Sequence, residues 1–339
     1  MRIDRLAKEA LFGVAYVAGL SSLYRLVSGH RSGVISFHNV LPAGQLGSDS
    51  IYEQDISLET FERQLEFLVE SSRLRDISEI RELPNEGFFL SFDDGMLNNY
   101  SVVAPVLEKY GVTAMFAVSG ALVLNHVPHI WKEHLYLVFH RLRGSEVFLP
   151  DDNYRARHRV TDSSINALLT RVKQWIYVNR VKDIYAVVRE FCERNGQPYA
   201  RLDYRPLRFQ PLTDDHLKNL SAAGHTIVSH AWTHRPLSFL SEADMVEEFT
   251  LSKHYLEDLL GKPVDILVYP YGGPVEVDAS VMETARECGY AMAFSNVHWE
   301  LRGPAGFHIP RFSLQGQTSR PQLHALMCGF KHFLTKRRL

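Results

Sequence analysis

The chain has 339 residues, 45% of them hydrophobic and 22% charged, enough for a well-buried core in one large domain or two modest ones. With 37 basic against 39 acidic residues, no global charge excess argues for nucleic acid. Cys192, Cys288 and Cys328 are odd in number and far apart, which excludes a disulfide framework and a thiolate zinc site and favours a reducing compartment.

The first thirty residues carry Arg2, Arg5 and Lys8, then an uncharged run from Ala10 to Tyr24 before Arg25. That run is about 15 residues long, short of the roughly 20 that a spanning helix needs. Three readings stand open: an interfacial amphipathic helix, an ordinary packed helix, or a signal segment. Gly33 to Val40 is a strand-like run with His38 near its end, and Leu58 to Leu68 has a helical apolar period. Gly87 to Gly95, Gly-Phe-Phe-Leu-Ser-Phe-Asp-Asp-Gly, reads as a buried strand ended abruptly by two carboxylates and a glycine. Taken alone, Asp-Asp-Gly reads as a hairpin or helix-entry turn rather than a site. Tyr100 to Tyr110 is a helix closed by Gly111, and Val112 to Val118 a further strand. Strand, helix, strand, helix, strand is an α/β order with a parallel sheet.

From Leu122 to Pro211 the pattern changes to helical periodicity at Trp131 to Leu142 and Ile165 to Cys192, without comparable strands. This reads as a mainly helical insertion that caps a site, binds a polymer or decorates the fold. Thr213 to Gly224 restores the α/β pattern, followed by strand His225 to Ser229, an amphipathic helix Ser241 to Leu260, strand Ile266 to Tyr269, helix Ala279 to Glu287 and strand Ala291 to Ser295. Lys331, His332, Lys336, Arg337 and Arg338 end the chain, as a solvated tail or an attraction to an anionic leaflet.

His230 and His234, spaced i, i+4, sit just after one inferred strand, as Asp93-Asp94 and Tyr269-Pro270-Tyr271-Gly272 do at others. In α/β folds that rim is where sites lie. Two imidazoles and one carboxylate make a three-ligand metal site with open positions. The other carboxylate is then free to take a proton from water.

Ser91-Phe92-Asp93-Asp94-Gly95, Ser229-His230-Ala231-Trp232-Thr233-His234 and Tyr269-Pro270-Tyr271-Gly272 resemble, in order, the first three motifs of the polysaccharide deacetylases, carbohydrate esterase family four. The resemblance covers 31–120 and 211–315 and implies an α/β fold, a distorted (β/α)7-type barrel, that removes N-acetyl groups from amino sugars with a divalent metal. It implies Asp93 as general base, Asp94, His230 and His234 as metal ligands, and the backbone N–H of Tyr271 as an oxyanion donor, with Tyr269, Pro270, Tyr271 and Gly272 around the substrate. The rings of Tyr269 and Tyr271 either line the sugar groove or are packed.

Two departures stand out. Where the third motif usually has an Arg contacting the catalytic Asp, this chain has Val268, and Arg311 is the candidate substitute. The late motif that supplies a catalytic His is missing. In the circularly permuted branch that includes biofilm poly-N-acetylglucosamine deacetylases that His comes early, and Phe37-His38-Asn39 resembles it. His38 is therefore the expected general acid, with His298 and His308 as fallbacks.

The expectation is a metal-dependent N-deacetylase of an exopolysaccharide or lipid-linked glycan, with zinc, cobalt or nickel suiting the donor set. The organisation expected is an N-terminal apolar helix at 1–30, the barrel at 31–120 and 211–315, the helical insertion at 121–210 and a basic tail at 316–339. Rivals are an O-acetyl esterase or deformylase on a lipid-linked sugar, and an inactive glycan-binding barrel. Nucleic acid is not an expected partner; a membrane surface is. The expected location is cytoplasmic and peripheral to the inner membrane, the periplasm being the alternative.

Overall fold

The computed structural model describes residues 5–20, 22–23, 32–42, 44–45, 55–71, 73–82, 86–202, 207–296, 306–316 and 318–328. Arg2, Tyr24, Arg25, His298 and the basic run from Lys331 to Leu339 lie outside the described residues.

Seven parallel strands close into a barrel: β1 (Ser32–Phe37), β2 (Gly87–Phe92), β3 (Met115–Val118), β4 (Thr226–Ser229), β5 (Ile266–Val268), β6 (Met292–Ser295) and β7 (Ile309–Ser313). Each pairs with the next in sequence, and β7 closes the ring on β1 with Val34 opposite Arg311. This is the α/β barrel that the sequence leads one to expect. Helices are α1 (Arg5–Val17), α2 (Leu58–Glu70), α3 (Ala104–Tyr110), α4 (Trp131–Arg141), α5 (Ile165–Val178), α6 (Ile184–Arg194), α7 (Asp214–Ala222), α8 (Glu242–Leu260), α9 (Ala279–Glu287) and α10 (Arg320–Met327).

The strands read as apolar runs because both faces are covered, as parallel sheets require. All six residues of β2 are buried. Successive side chains alternate. Val34, Phe89, Met115, Ala117, Val228, Val268 and Phe294 fill the barrel, while Ile35, Leu90, Phe92 and Phe116 pack outward with Phe61 and Leu65 of α2, Leu107 of α3 and Leu217 of α7. Phe92 stacks between Phe37 and Phe116 with ring centroids 5.3 Å apart on each side. Truncating such a ring to Ala costs about 3–5 kcal/mol, so the strand carrying Asp93 is held rigidly in place.

Three features differ from the sequence reading. The run Gly33 to Val40 is split: β1 stops at Phe37, and Val40–Leu41 pairs instead with Ile56–Ser57. The break follows from Asn39, whose amide donates to Asp55 Oδ1 at 3.0 Å and accepts from Asn98 at 2.7 Å, pulling the backbone out of the barrel just after His38. The seventh strand carries Pro310 and Arg311 in five residues, which breaks its apolar signal. A short antiparallel ribbon, Glu146–Phe148 with Arg157–Arg159, interrupts the helical stretch.

Between β3 and β4 the helices α4, α5 and α6 build a core of their own around Trp131, Leu135, Phe139, Val172, Ile176, Val188 and Phe191. The expected stops appear: Ser241 caps α8 in a reciprocal capping box with Asp244, and Gly261 ends it at φ 65°. At the N-terminus, α1 rests on α10 through Tyr16 and His324, ring centroids 4.9 Å apart, with Phe12 and Ala15 buried. Leu11, Val14, Val17, Leu20 and Leu23 are exposed. No helix among the described residues is long and apolar enough to cross a membrane.

Candidate active site

The carboxyl ends of the strands open into a cavity of about 240 Å³, walled on the barrel side by His38, Asp93, Asp94, His230, His234 and Tyr271. Adjacent residues of a strand point to opposite faces, yet both Asp93 and Asp94 face this cavity. The chain achieves this by turning at once: Asp94 adopts φ 74° and Gly95 φ 72°. A Cβ on Gly95 would sit 3.2 Å from Val118 Cγ1, so glycine answers both the positive φ and the close approach. Asn99 Nδ2 donates to Asp93 O at 3.1 Å and Asp93 N to Phe37 O at 3.0 Å, pinning the turn.

Asp94 Oδ1 lies 3.1 Å from His234 Nε2 and 3.5 Å from His230 Nε2, and the three ligand atoms fall within 4.8 Å of one another. The imidazole tautomers follow from the other ring nitrogens. His230 Nδ1 faces Val268 O at 2.7 Å; a carbonyl only accepts, so Nδ1 carries the hydrogen and Nε2 presents a lone pair. Tyr271 donates its hydroxyl hydrogen to His234 O at 3.2 Å, so its oxygen accepts from His234 Nδ1 at 3.1 Å, again leaving Nε2 bare. Burial pushes the His234 pKa down, which favours the neutral ring. With both rings neutral, three lone pairs converge on one point. The donor set, one carboxylate oxygen and two imidazoles, fits a divalent metal ion with open positions.

The loop holding these histidines is strained, with Ala231 at φ 56° and His234 at φ 60°. Glu248 of α8 holds it: its carboxylate accepts from Trp232 N at 2.9 Å, Thr233 N at 2.8 Å and the Thr233 hydroxyl. Arg235 closes over the same carboxylate at 2.8 Å.

Asp93 has a different setting. Arg311 is fully buried and clamps it with two parallel bonds, Nη1 to Oδ1 and Nη2 to Oδ2, each 2.7 Å. Ser91 Oγ donates to Oδ1 at 3.1 Å and Asn296 Oδ1 accepts from Arg311 at 3.0 Å. Burial alone would raise the pKa of Asp93, but the charge and bonds of Arg311, aided by His38 and His230, bring it down to about 2. His38 Nε2 lies 3.8 Å from Asp93 Oδ2, and its Nδ1 is buried without a partner among the described residues.

The rest of the expected set divides. Tyr271, at φ 61°, faces the cavity. Tyr269 is fully buried and its hydroxyl donates to Phe307 O at 3.2 Å; its ring belongs to the core with Phe249 and Val281 and not to a groove. Pro270 and Gly272 shape the turn, where a Cβ on Gly272 would meet Asn296 N at 2.6 Å. His308 pairs with Ser295 Oγ at 3.0 Å and is not among the cavity residues, so it is displaced as a fallback acid. His298 lies outside the described residues.

Several cavity residues escape a reading of the sequence. Ile130, Lys132 and Glu133 enter from the start of α4, and Asp55 and Asn296 from loops. Behind His38 runs a buried relay: Asn39 to Asp55, Asp55 Oδ2 to Arg208 Nε at 2.5 Å, and Arg208 Nη1 to Glu133 Oε1 at 3.1 Å. Two buried carboxylates share one guanidinium, so burial, with Asp94 and Asp55 nearby, pushes Glu133 up to about 8 despite Arg208. Burial and the neighbouring charge of Lys173 push Lys132 down to about 7.

Residues 151–293 match the family model described as polysaccharide deacetylase, a span that includes His230, His234 and Tyr271 but not Asp93 or Asp94. No curated protein matches the chain. Among solved structures, the deacetylase PplD of Streptococcus pyogenes in complex with acetate is similar with a TM-score of 0.55 at 15% identity, over 88% of this chain and 98% of that one. IcaB from Ammonifex degensii gives 0.54 at 18% identity over 88% and 97%. A de-N-acetylase from Aggregatibacter actinomycetemcomitans gives 0.51 at 16% over 86% and 98%. At such identities the likeness establishes the barrel. The family match over residues 151–293, with the paired carboxylates and histidines at the barrel rim, makes the chain similar to the polysaccharide deacetylases.

Proposed function

We propose that the protein is a metal-dependent hydrolase that removes the N-acetyl group from an amino sugar of a polysaccharide or lipid-linked glycan. The observation that carries this reading is the division of labour within Asp93-Asp94: one carboxylate sits in an arginine fork, the other faces two imidazole lone pairs. Asp94, His230 and His234 would hold the ion, with zinc preferred and cobalt or nickel fitting the same donors. A divalent cation there supplies a Lewis acid for the acyl oxygen and lowers the pKa of water toward ~7.

The chain's own residues supply the rest. Asp93, kept ionised by Arg311, accepts the proton of the attacking water. His38, on the same side of the cavity, gives a proton to the departing nitrogen. An amine leaves an acyl carbon only when protonated, whereas an alkoxide is a better leaving group, so an acid placed 3.8 Å from the base favours amide over ester cleavage. The backbone N–H of Tyr271 is the proposed second donor to the oxyanion. A cavity of about 240 Å³ suits one sugar residue with its acyl group. The test is acetate release from a panel of N-acetylated and O-acetylated sugars by the metal-loaded protein. Release from the O-acetyl series alone would make it an esterase.

We also propose that the protein works peripherally on the cytoplasmic face of a membrane. The support is the exposed apolar side of α1, with Val14 at 63% and Val17 at 86% exposure, and a sequence after α10 that turns basic. Flotation with anionic vesicles, abolished by Val14→Asp with Val17→Asp, is the expected result.

A further inference from the structure

The first turn of α4 brings a cation into the cavity that the hydrolytic chemistry does not use. Lys132 lines the cavity beside the metal-ligand group and the Tyr271 ring. Its ammonium stands 3.6 Å over the centroid of Tyr271, 5.2 Å from that of Trp131 and 5.5 Å from that of Tyr177, with the Tyr177 hydroxyl at 3.5 Å. Aromatic faces hold an ammonium in position without cancelling its charge. Among the described residues Lys132 makes no ion pair, whereas the other charged groups of the cavity are matched: Asp93 with Arg311, Asp55 with Arg208, and Asp94 with the imidazoles. A lysine in the first turn also faces the positive end of its own helix, and no side chain caps α4 at Ile130. Next to it, Glu133 is 2% exposed, and its Oε2 has no hydrogen-bond partner among the described residues. Helix propensity explains neither residue at this place; a ligand with complementary groups explains both.

Building on the N-deacetylase reading, we infer that Lys132 is a specificity residue that binds an anionic group, phosphate or carboxylate, carried by the substrate on or beside the N-acetylated sugar, with Glu133 hydrogen-bonding a sugar hydroxyl through Oε2. The lowered pKa of Lys132 agrees with this, since burial and the charge of Lys173 outweigh the carboxylates of Glu276 and Asp94, and an anion bound against the ammonium would offset them. Glu133 is steered by Arg208 and, through Asp55 and Asn39, by the loop that carries His38, so a correctly seated sugar also meets a correctly placed acid.

The experiment is calorimetric binding to full-length, metal-loaded Asp93→Asn protein, which keeps the acetyl group intact. The probes are methyl N-acetylglucosaminide, N-acetylglucosamine 1-phosphate and N-acetylmuramic acid: neutral, phosphate-bearing and carboxylate-bearing. At least one anionic probe is expected to bind on the order of 10- to 100-fold tighter than the neutral one. Lys132→Met in the same background should bring that ratio close to one, and Lys132→Arg should preserve it. Which anionic probe is preferred assigns the source. Equal or absent binding of all three probes overturns the inference. So does a preference that survives Lys132→Met, since the anion is then held by the metal. A merely structural Lys132 would weaken neutral and anionic probes alike and leave the ratio unchanged. The parent reading fails differently: the wild-type protein would release no acetate while the anion preference persisted.

Discussion

The two walls of the cavity are built on opposite electrostatic plans. On the barrel wall every charge is bound into a geometry: Asp93 lies in the fork of Arg311, and Asp94 meets two imidazoles whose outer nitrogens are committed to Val268 O and the Tyr271 hydroxyl. On the α4 wall Lys132 is held by aromatic faces and the Tyr177 hydroxyl, and Glu133 shares Arg208 with Asp55. A wall of paired charges is rigid and suits chemistry, which needs preorganised charge. A wall with unsatisfied groups waits for a ligand and suits selection. On the proposed reading the barrel carries the reaction, and the helical excursion decides what is admitted.

The comparison can be broken most severely on the barrel wall. His234→Ala removes one of three converging donors, and loss of bound metal with at least a thousand-fold fall in acetate release is expected from a Lewis-acid contribution of several kcal/mol; metal analysis and turnover check it together. Next in size is His38→Gln. A missing general acid costs about 10²–10⁴-fold on the amide, with a smaller loss on an activated ester and unchanged metal content.

Arg311→Met tests whether the pairing matters. Asp93 at about 2 is ionised at all ordinary pH. Without Arg311, burial pushes its pKa up, so the base is lost as pH falls through a higher value. The acid limb of kcat/KM should therefore move to higher pH. Chemical denaturation should show a loss of about 3–5 kcal/mol near neutrality, because an uncompensated charge stays buried. A smaller effect is expected from Glu248→Gln, which loosens the loop under His230 and His234 without touching either: about 10- to 100-fold weaker metal binding in a competition titration.

Much of the barrel wall was legible in the sequence, and the physical reason is local. Asp93-Asp94-Gly95 and His230 to His234 are short segments whose own backbone reversals, at Asp94, Gly95, Ala231 and His234, deliver the side chains. Their joint presence with Tyr269-Pro270-Tyr271-Gly272 at three strand ends is what marks them as a site. Arg311 was reachable only through the resemblance, since its strand carries a proline and a charge and does not alternate in burial as a half-exposed strand would. The placement of Tyr269 in the core was also beyond the sequence, which left its ring either packed or in the groove. The α4 wall was illegible for another reason. Trp131-Lys132-Glu133 begins like any amphipathic helix, and Arg208 meets Asp55 across 153 positions. Such pairings are set by how the excursion folds back, not by any local pattern.

The central claim is that the two neighbouring carboxylates do different work, and it is tested most directly by metal content and acetate release measured side by side for Asp93→Asn and Asp94→Asn. The account predicts that Asp93→Asn keeps its metal and loses turnover by about 10²–10⁴-fold, whereas Asp94→Asn loses both. An Asp93→Asn protein that stays fully active, or an Asp94→Asn protein that binds metal as tightly as the wild type, would contradict it.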